Sequence, residues 1–168
     1  MAISMYQASV PVFARALANL SSVLKKGEAF AKGKDVDPDR LLQQRLVFDM
    51  FPLIKQIQIV CDTAARGAAR LANVEAQSFP DTETTLTQAL DRIERTIAYI
   101  KTFKSEQIDG CEDLAIVVKM HDNEVHFTGR DYLLGYALPN LFFHCTTAYN
   151  ILRVAGTPIG KLDYLGSR

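Results

Sequence analysis

His144 is the residue of this chain best placed to do chemistry. It sits at the centre of a nearly uncharged stretch, Gly129 to Gly156 (GRDYLLGYALPNLFFHCTTAYNILRVAG), where an imidazole can accept, donate or move a proton near neutral pH. At roughly 100° per residue on a helix, Leu133, Ala137, Asn140, Leu141, Thr147, Ala148, Ile151 and Ala155 fall within about 60° of it. His144 therefore points along an apolar seam, with Asn140 one turn below and Thr147 one turn above. In an earlier helical pattern, Asp49 and Gln56 lie two turns apart at the edge of the apolar stripe. The geometry permits one polar patch of Asp49, Gln56, Asn140, His144 and Thr147. Such a patch would bind a small molecule, with His144 as hydrogen-bonding or acid/base group and the others orienting it. The plain alternative is a core histidine whose ring nitrogens are satisfied by neighbours, because an unpaired buried polar group costs ~1–3 kcal/mol.

Other chemistry finds little support. The sequence has no GxxxxGK[ST], no GxGxxG opening a helix after a strand, no HExxH, no GxSxG and no EF-hand loop. No ExxH pair supports a diiron site in a helical bundle. Cys61, Cys111 and Cys145 are far apart and not in CxxC spacing, so they read as reduced, buried small hydrophobes of a cytoplasmic protein. His121 and His126 fall in a predicted hairpin, exposed and without the spacing of a metal clip. No nucleophile stands out, and no catalytic residue is assigned.

These side chains need elements to hold them. The chain has 168 residues, 48% hydrophobic and 23% charged, which is long enough for one substantial core and sets the expectation of a single domain over 1–168. Lys plus Arg and Asp plus Glu balance at 19 each, so no overall positive charge favours a nucleic-acid partner. The N-terminus lacks a basic segment followed by an apolar run, so no secretory signal is read. Although Tyr132 to Leu152 carries no charge over 21 residues, its Asn140, His144, Thr146, Thr147, Asn150 and Pro139 point to a buried bundle helix rather than a membrane span.

In chain order, Tyr6, Val10, Phe13, Leu17, Leu20 and Leu24 form the stripe of a first helix over residues 5–30. Ser4 is one candidate cap. Pro11 either bends this helix or marks its true first turn after Ser9. Asp37-Pro38 predicts the start of a long second helix carrying Leu46, Met50, Leu53, Ile57, Val60, Ala64, Ala68 and Leu71, kinked at Pro52. A third helix, capped by Asp81 or Thr82, carries Leu86, Leu90, Ile93, Ile97 and Ile100 and ends near Glu106. The runs LAIVVKM and EVHFT make a small hairpin, inserted where a crossover would link helices that are not antiparallel neighbours. Thr128 and Asp131 stand in capping-box spacing at the start of the last long helix; Gly156 and Pro158 mark its end. The tail keeps Ile159, Leu162, Tyr164 and Leu165, enough apolar surface to pack.

The segments DMFPLIKQIQIVCDTA, YLLGYALPNLFFHCTTAYNILR and TPIGKLDYLG, together with the hairpin, resemble an uncharacterised family within the DinB/YfiT-like superfamily. The resemblance covers essentially the whole chain. It implies an all-α, DinB-like four-helix bundle with a β-hairpin in the crossover before the last helix, often dimeric. Superfamily relatives hold a divalent metal such as zinc or nickel with three histidines, and some hydrolyse or transfer small thiols and related metabolites. Carried onto this chain, His144 matches the first of a histidine pair on the last helix. The second falls on Ala148, and the second helix offers Asp49 in place of histidine. If a metal bound, His144 and Asp49 would be its ligands, short of the three protein ligands of a usual catalytic zinc site.

The expectation is therefore no cofactor. Two readings of function stand side by side. One is a metal-free small-molecule binder or enzyme built on the His144 seam. The other is a non-catalytic homodimer whose polar core fixes helix register and whose Ile59, Phe142 and Tyr149 face a second copy. A metal-dependent hydrolase or thiol transferase is the third, implied only by the resemblance.

Overall fold

The computed structural model describes residues 3–120 and 122–166; His121 lies outside them. Ser4 caps α1 (Met5–Ala8) in a capping box with Gln7. Ser9 then breaks the helix, its hydroxyl donating back to the Met5 carbonyl at 2.7 Å, and α2 (Val10–Lys32) begins with Pro11 in its first turn. Of the two roles open to Pro11, the structure takes the start of a new helix, where its missing N–H costs nothing.

The second helix differs from its expected form. Asp37 caps only a 3₁₀ turn, Pro38–Gln43, and α3 (Leu53–Leu71) starts afresh after an irregular link. Pro52 explains the restart. It bars Phe51 from helical dihedrals, has no N–H to continue a helix, and so stands as the N-cap of α3 rather than as a kink within it. Asp49 consequently lies in an exposed turn of the link, not on a helix.

Neither Asp81 nor Thr82 caps the third helix. Thr85 caps α4 (Leu86–Ile100) with Gln88 completing the box, because the Asp81 carboxylate is taken by Lys55 at 2.5 Å and Arg92 at 3.0 Å. Helix α4 stops at Ile100, short of Glu106. The buried Phe103 turns in against Tyr99 (centroids 5.3 Å apart), and a separate turn, α5 (Ser105–Ile108), follows.

The crossover carries the expected hairpin, β1 (Ile116–Met120) antiparallel to β2 (Asn123–Phe127), with Val118 opposite Val125. Thr128 then accepts the Asp131 N–H as N-cap of α6 (Gly129–Tyr132). A Cβ on Gly129 would stand 1.9 Å from the Cys111 carbonyl oxygen, so only glycine lets the chain cross there. From α6 the helix runs without a break through a π-turn, Leu133–Ala137, into α7 (Leu138–Val154). The π-turn lies just ahead of Pro139, whose ring would strike the carbonyl four residues back in an unbroken α-helix. Gly156, at φ 92°, ends the run.

Helices α2, α3, α4 and α7 form a four-helix bundle in which α3 packs on α4 and α7, and α2 packs on the same two. Thus α4 and α7, consecutive long helices, sit diagonally, and the hairpin-bearing crossover joins them. The core is apolar, with Phe13, Leu17, Leu24, Ile57, Val60, Ile93, Leu141 and Leu152 fully buried. The tail forms α8 (Lys161–Leu165) on α2, where Asn19 donates to the Tyr164 carbonyl and Lys26 pairs with Asp163. Among the described residues, no helix is long and apolar enough to cross a membrane.

Candidate functional site

Helices α3 and α7 meet along a polar seam. Gln56 donates its amide nitrogen to the Phe51 carbonyl at 2.9 Å, which turns its Oε1 towards His144 Nδ1, 2.6 Å away. An amide oxygen only accepts, so Nδ1 carries the proton. In the neutral ring, Nε2 is left with a free lone pair. Burial holds the imidazole below its ordinary value of 6.5, so this neutral form prevails at pH 7. The ring is half-buried, with Phe143 standing edge-on to it at 5.1 Å.

Further along, Asn140 donates to Thr63 Oγ1 at 2.9 Å, and Arg70 donates to Tyr132 Oη at 3.1 Å. The α3 partners ascend (56, 63, 70) as those on α6 and α7 descend (144, 140, 132), so the helices run antiparallel and are laced by three rungs. A cleft of about 160 Å³ opens over the Asn140 and Arg70 rungs, bordered by Asp62, Thr63, Arg66, Arg70, Tyr132 and Tyr136; Gln56 and His144 lie outside its lining.

The π-turn decides which residues reach the seam. An unbroken α-helix places Leu133 and Ala137 on the side of His144; here Tyr132 and Tyr136 border the cleft with Asn140, while Leu133 and Ala137 are fully buried. The wider turn sets everything before it back by about one residue. Tyr132 and Tyr136 therefore line up with Asn140 and His144. Phe127 of β2 packs on both tyrosines, 6.1 and 5.7 Å between centroids, so the hairpin braces this end of the seam.

Of the five candidate residues, the structure brings Gln56 and His144 into contact and sets Asn140 one rung away. Thr147 is buried and donates to the Phe143 carbonyl of its own helix at 2.8 Å, so its hydroxyl does not join the rungs. Asp49 is remote from the helical register that would have aimed it. Thr63, Arg70, Tyr132 and Tyr136 belong to the seam without having been singled out. Their signal was the four-residue ladder 132–136–140–144 facing the seven-residue ladder 56–63–70, visible only if a helical irregularity near Pro139 is allowed.

The three cysteines are free and buried. Burial pushes the Cys61 and Cys145 thiols up to about 12, so neither is a nucleophile at neutral pH. His126 is exposed on the hairpin. Tyr149 is covered by Tyr164 of α8 (5.8 Å between centroids), Ile59 is half-buried, and only Phe142 of that expected dimer face is openly exposed. A metal ion of the kind the resemblance implies would find Nε2 of His144 and little else. Ala148 is fully buried with no lone pair, and Gln56 Oε1 is engaged with Nδ1. Among the described residues, no group of three His, Cys, Asp or Glu side chains is placed to hold a metal ion. This donor set does not fit a catalytic zinc site.

A second polar cluster lies on the α3–α4 side. Arg92, fully buried, reaches Asp62 at 2.7 Å, Asp81 and Glu83 at 3.0 Å, and the Pro80 carbonyl at 3.0 Å. Every carboxylate is countered and the cluster pins the link before α4; it reads as structural.

Comparison with known proteins bears on the whole chain. A family model described as a domain of unknown function, DUF1993, matches residues 5–165. Among solved structures, a crystal structure of a DinB family member from Shewanella denitrificans is 40% identical, with a TM-score of 0.88 over 97% of this chain and 92% of that one. No curated protein matches the chain.

Proposed function

The chain belongs to the DUF1993 family and has the four-helix-bundle fold of a DinB family member; on that scaffold we propose that the α3–α7 seam binds a small organic molecule without the help of a metal ion. Nε2 of His144 accepts a hydrogen bond from the ligand, and in a reactive complex it takes a proton. Asn140 Oδ1, whose amide nitrogen is engaged with Thr63, offers a second acceptor one turn away. Phe143, exposed and edge-on to the His144 ring, provides an apolar flank.

The observation that carries this reading is the Phe51–Gln56–His144 chain of hydrogen bonds. It fixes one tautomer and aims a free lone pair away from the core. A histidine held for packing alone would have both ring nitrogens satisfied, whereas Nε2 of His144 has no protein partner among the described residues.

The test is a thermal-shift screen of metabolites and divalent metals on the wild type and His144→Ala, with metal analysis of the purified protein. At least one organic compound is expected to raise Tm in the wild type and to lose that effect in His144→Ala, with zinc and nickel far below one equivalent. Near one equivalent of metal, lost on His144→Ala, overturns the metal-free reading.

A second reading, the non-catalytic homodimer, is favoured by one observation: Phe48 is 90% exposed and Phe143 56% exposed. Silence across the library together with a concentration-dependent dimer would select it over the first.

A further inference from the structure

We infer that the Arg70 end of the seam is a carboxylate subsite that selects small organic monoanions; this rests on the reading of the seam as a ligand site and names the ligand class. Arg70 rises from α3 beside the cleft, half-buried, with its guanidinium 5.5 Å over the Tyr132 ring and Nη1 on the Tyr132 hydroxyl. Arg66, Arg92 and Arg95 each hold a carboxylate at 2.7–3.1 Å. Arg70 has no carboxylate partner among the described residues. The stacked ring and the bond to Tyr132 hold its planar fork in place, and that fork suits two parallel bonds to a carboxylate.

The surroundings complete the site. The Tyr132 hydroxyl accepts from Arg70 and so keeps its own proton to donate. Tyr136 borders the same cleft and brings a second phenol, and Thr63, having accepted from Asn140, keeps its hydroxyl proton too. The cleft wall is thus rich in donors and, apart from Asn140 Oδ1 and Asp62, poor in acceptors. Charge sets the valence. Of the charged groups lining the cleft, Arg66 and Arg70 are positive and Asp62, which Arg66 and the buried Arg92 both hold, is negative, so the lining itself carries one net positive charge, and a dianion such as phosphate would also face the Asp62 carboxylate. The volume of about 160 Å³ far exceeds the ~10–15 Å³ that one ordered water needs, so a molecule of several heavy atoms fits. Because Phe127 packs on both tyrosines, little ordering remains for the ligand to impose.

L-lactate is the probe, lactamide its neutral isostere and inorganic phosphate the competing anion, each titrated into the full-length ¹⁵N-labelled protein and followed by ¹H–¹⁵N NMR. Lactate should give saturable shifts at the Arg70 side chain and the backbone around Tyr136, lactamide should not, and Arg70→Met should weaken binding by about tenfold or more. Tyr136→Phe, which keeps the ring, should weaken it less and serves if Arg70→Met does not fold. Equal shifts from lactate and lactamide, no saturable lactate shift at millimolar concentration, tighter binding of phosphate than of lactate, or unaltered affinity in the variants would each overturn the assignment. The wider seam reading fails differently, by silence in the thermal-shift screen. If His144-dependent compounds are found there and bind Arg70→Met as tightly as the wild type, only the carboxylate subsite is lost.

Discussion

Arg92→Met is expected to lower the free energy of unfolding by about 3–5 kcal/mol, the range for breaking a buried ion pair from one side. The guanidinium is fully buried on the core face of α4, next to the buried Ile93 and one turn from Ala89 and Thr96. Methionine keeps most of the stem's apolar volume and removes the charge. Asp62 would still have Arg66 at 3.1 Å and Asp81 would still have Lys55, but the almost fully buried Glu83 would lose its one charged partner and keep Gln58, at 3.0 Å, and its own backbone N–H. The link between α3 and α4 would lose its anchor at the same time. Urea titration measures the loss. A change below about 1 kcal/mol, the worth of a surface pair, would show that the cluster behaves as though it were solvated.

Acid titration reads the same cluster. For Asp81 and Glu83, burial alone would raise the pKa. It is outweighed by Lys55 and Arg92 at Asp81, and by Gln58 and Arg92 at Glu83, so both carboxyls lie below their ordinary 3.8 and 4.5. Depressed carboxylates add stability that is complete above those ordinary values and is lost as pH falls through the lowered ones. Stability should therefore decline from about pH 4.5 downwards, and that decline should be shallower in Arg92→Met.

Gln56→Leu should cost about 1–3 kcal/mol despite replacing a buried polar side chain with an apolar one of similar size. Gln56 is 1% exposed and satisfies two groups at once, the Phe51 carbonyl and the His144 ring. Leucine leaves both without a partner. It also frees the imidazole to exchange tautomers, so compounds that depend on Nε2 should bind more weakly even where the fold survives. In the wild type, burial depresses the His144 pKa, so the neutral ring's contribution to stability is present above pH 6.5 and lost as pH falls through the folded-state value. An NMR titration of the ring should accordingly turn over below 6.5. If Gln56→Leu matches the wild type within about 0.5 kcal/mol, the amide is a passive filler and the orienting role is wrong.

The bundle was legible because its helices obey one period and announce their ends. The stripe from Val10 to Leu24, the Thr128 cap and the Gly156 stop each carry their own physical cause. The hairpin was readable from two β-rich runs flanking a polar turn. Helical phase allowed a patch containing Gln56, at the edge of its apolar stripe, and His144, and the two side chains do meet. Asp49 was misplaced for the opposite reason. Leu46, Met50 and Leu53 keep helical spacing through a stretch that Pro52 interrupts, and apolar period outvoted backbone chemistry. The Arg92 cluster went unread because only apolar residues define a helical stripe, although Arg92 neighbours Ile93 and lies one turn from Thr96 on the buried side of α4. Tyr132 and Tyr136 were hidden by the π-turn, which shifts phase by about one residue and has no strong composition of its own.

The most direct test of the seam as a metal-free ligand site is a crystal structure of the protein with the compound that stabilises it most in the thermal-shift screen. The account predicts that a donor group of that compound lies within hydrogen-bonding distance of Nε2 of His144, with Nδ1 still on Gln56 and no metal ion between them. A compound bound elsewhere with the seam unchanged, or a metal ion seated on His144, would contradict it.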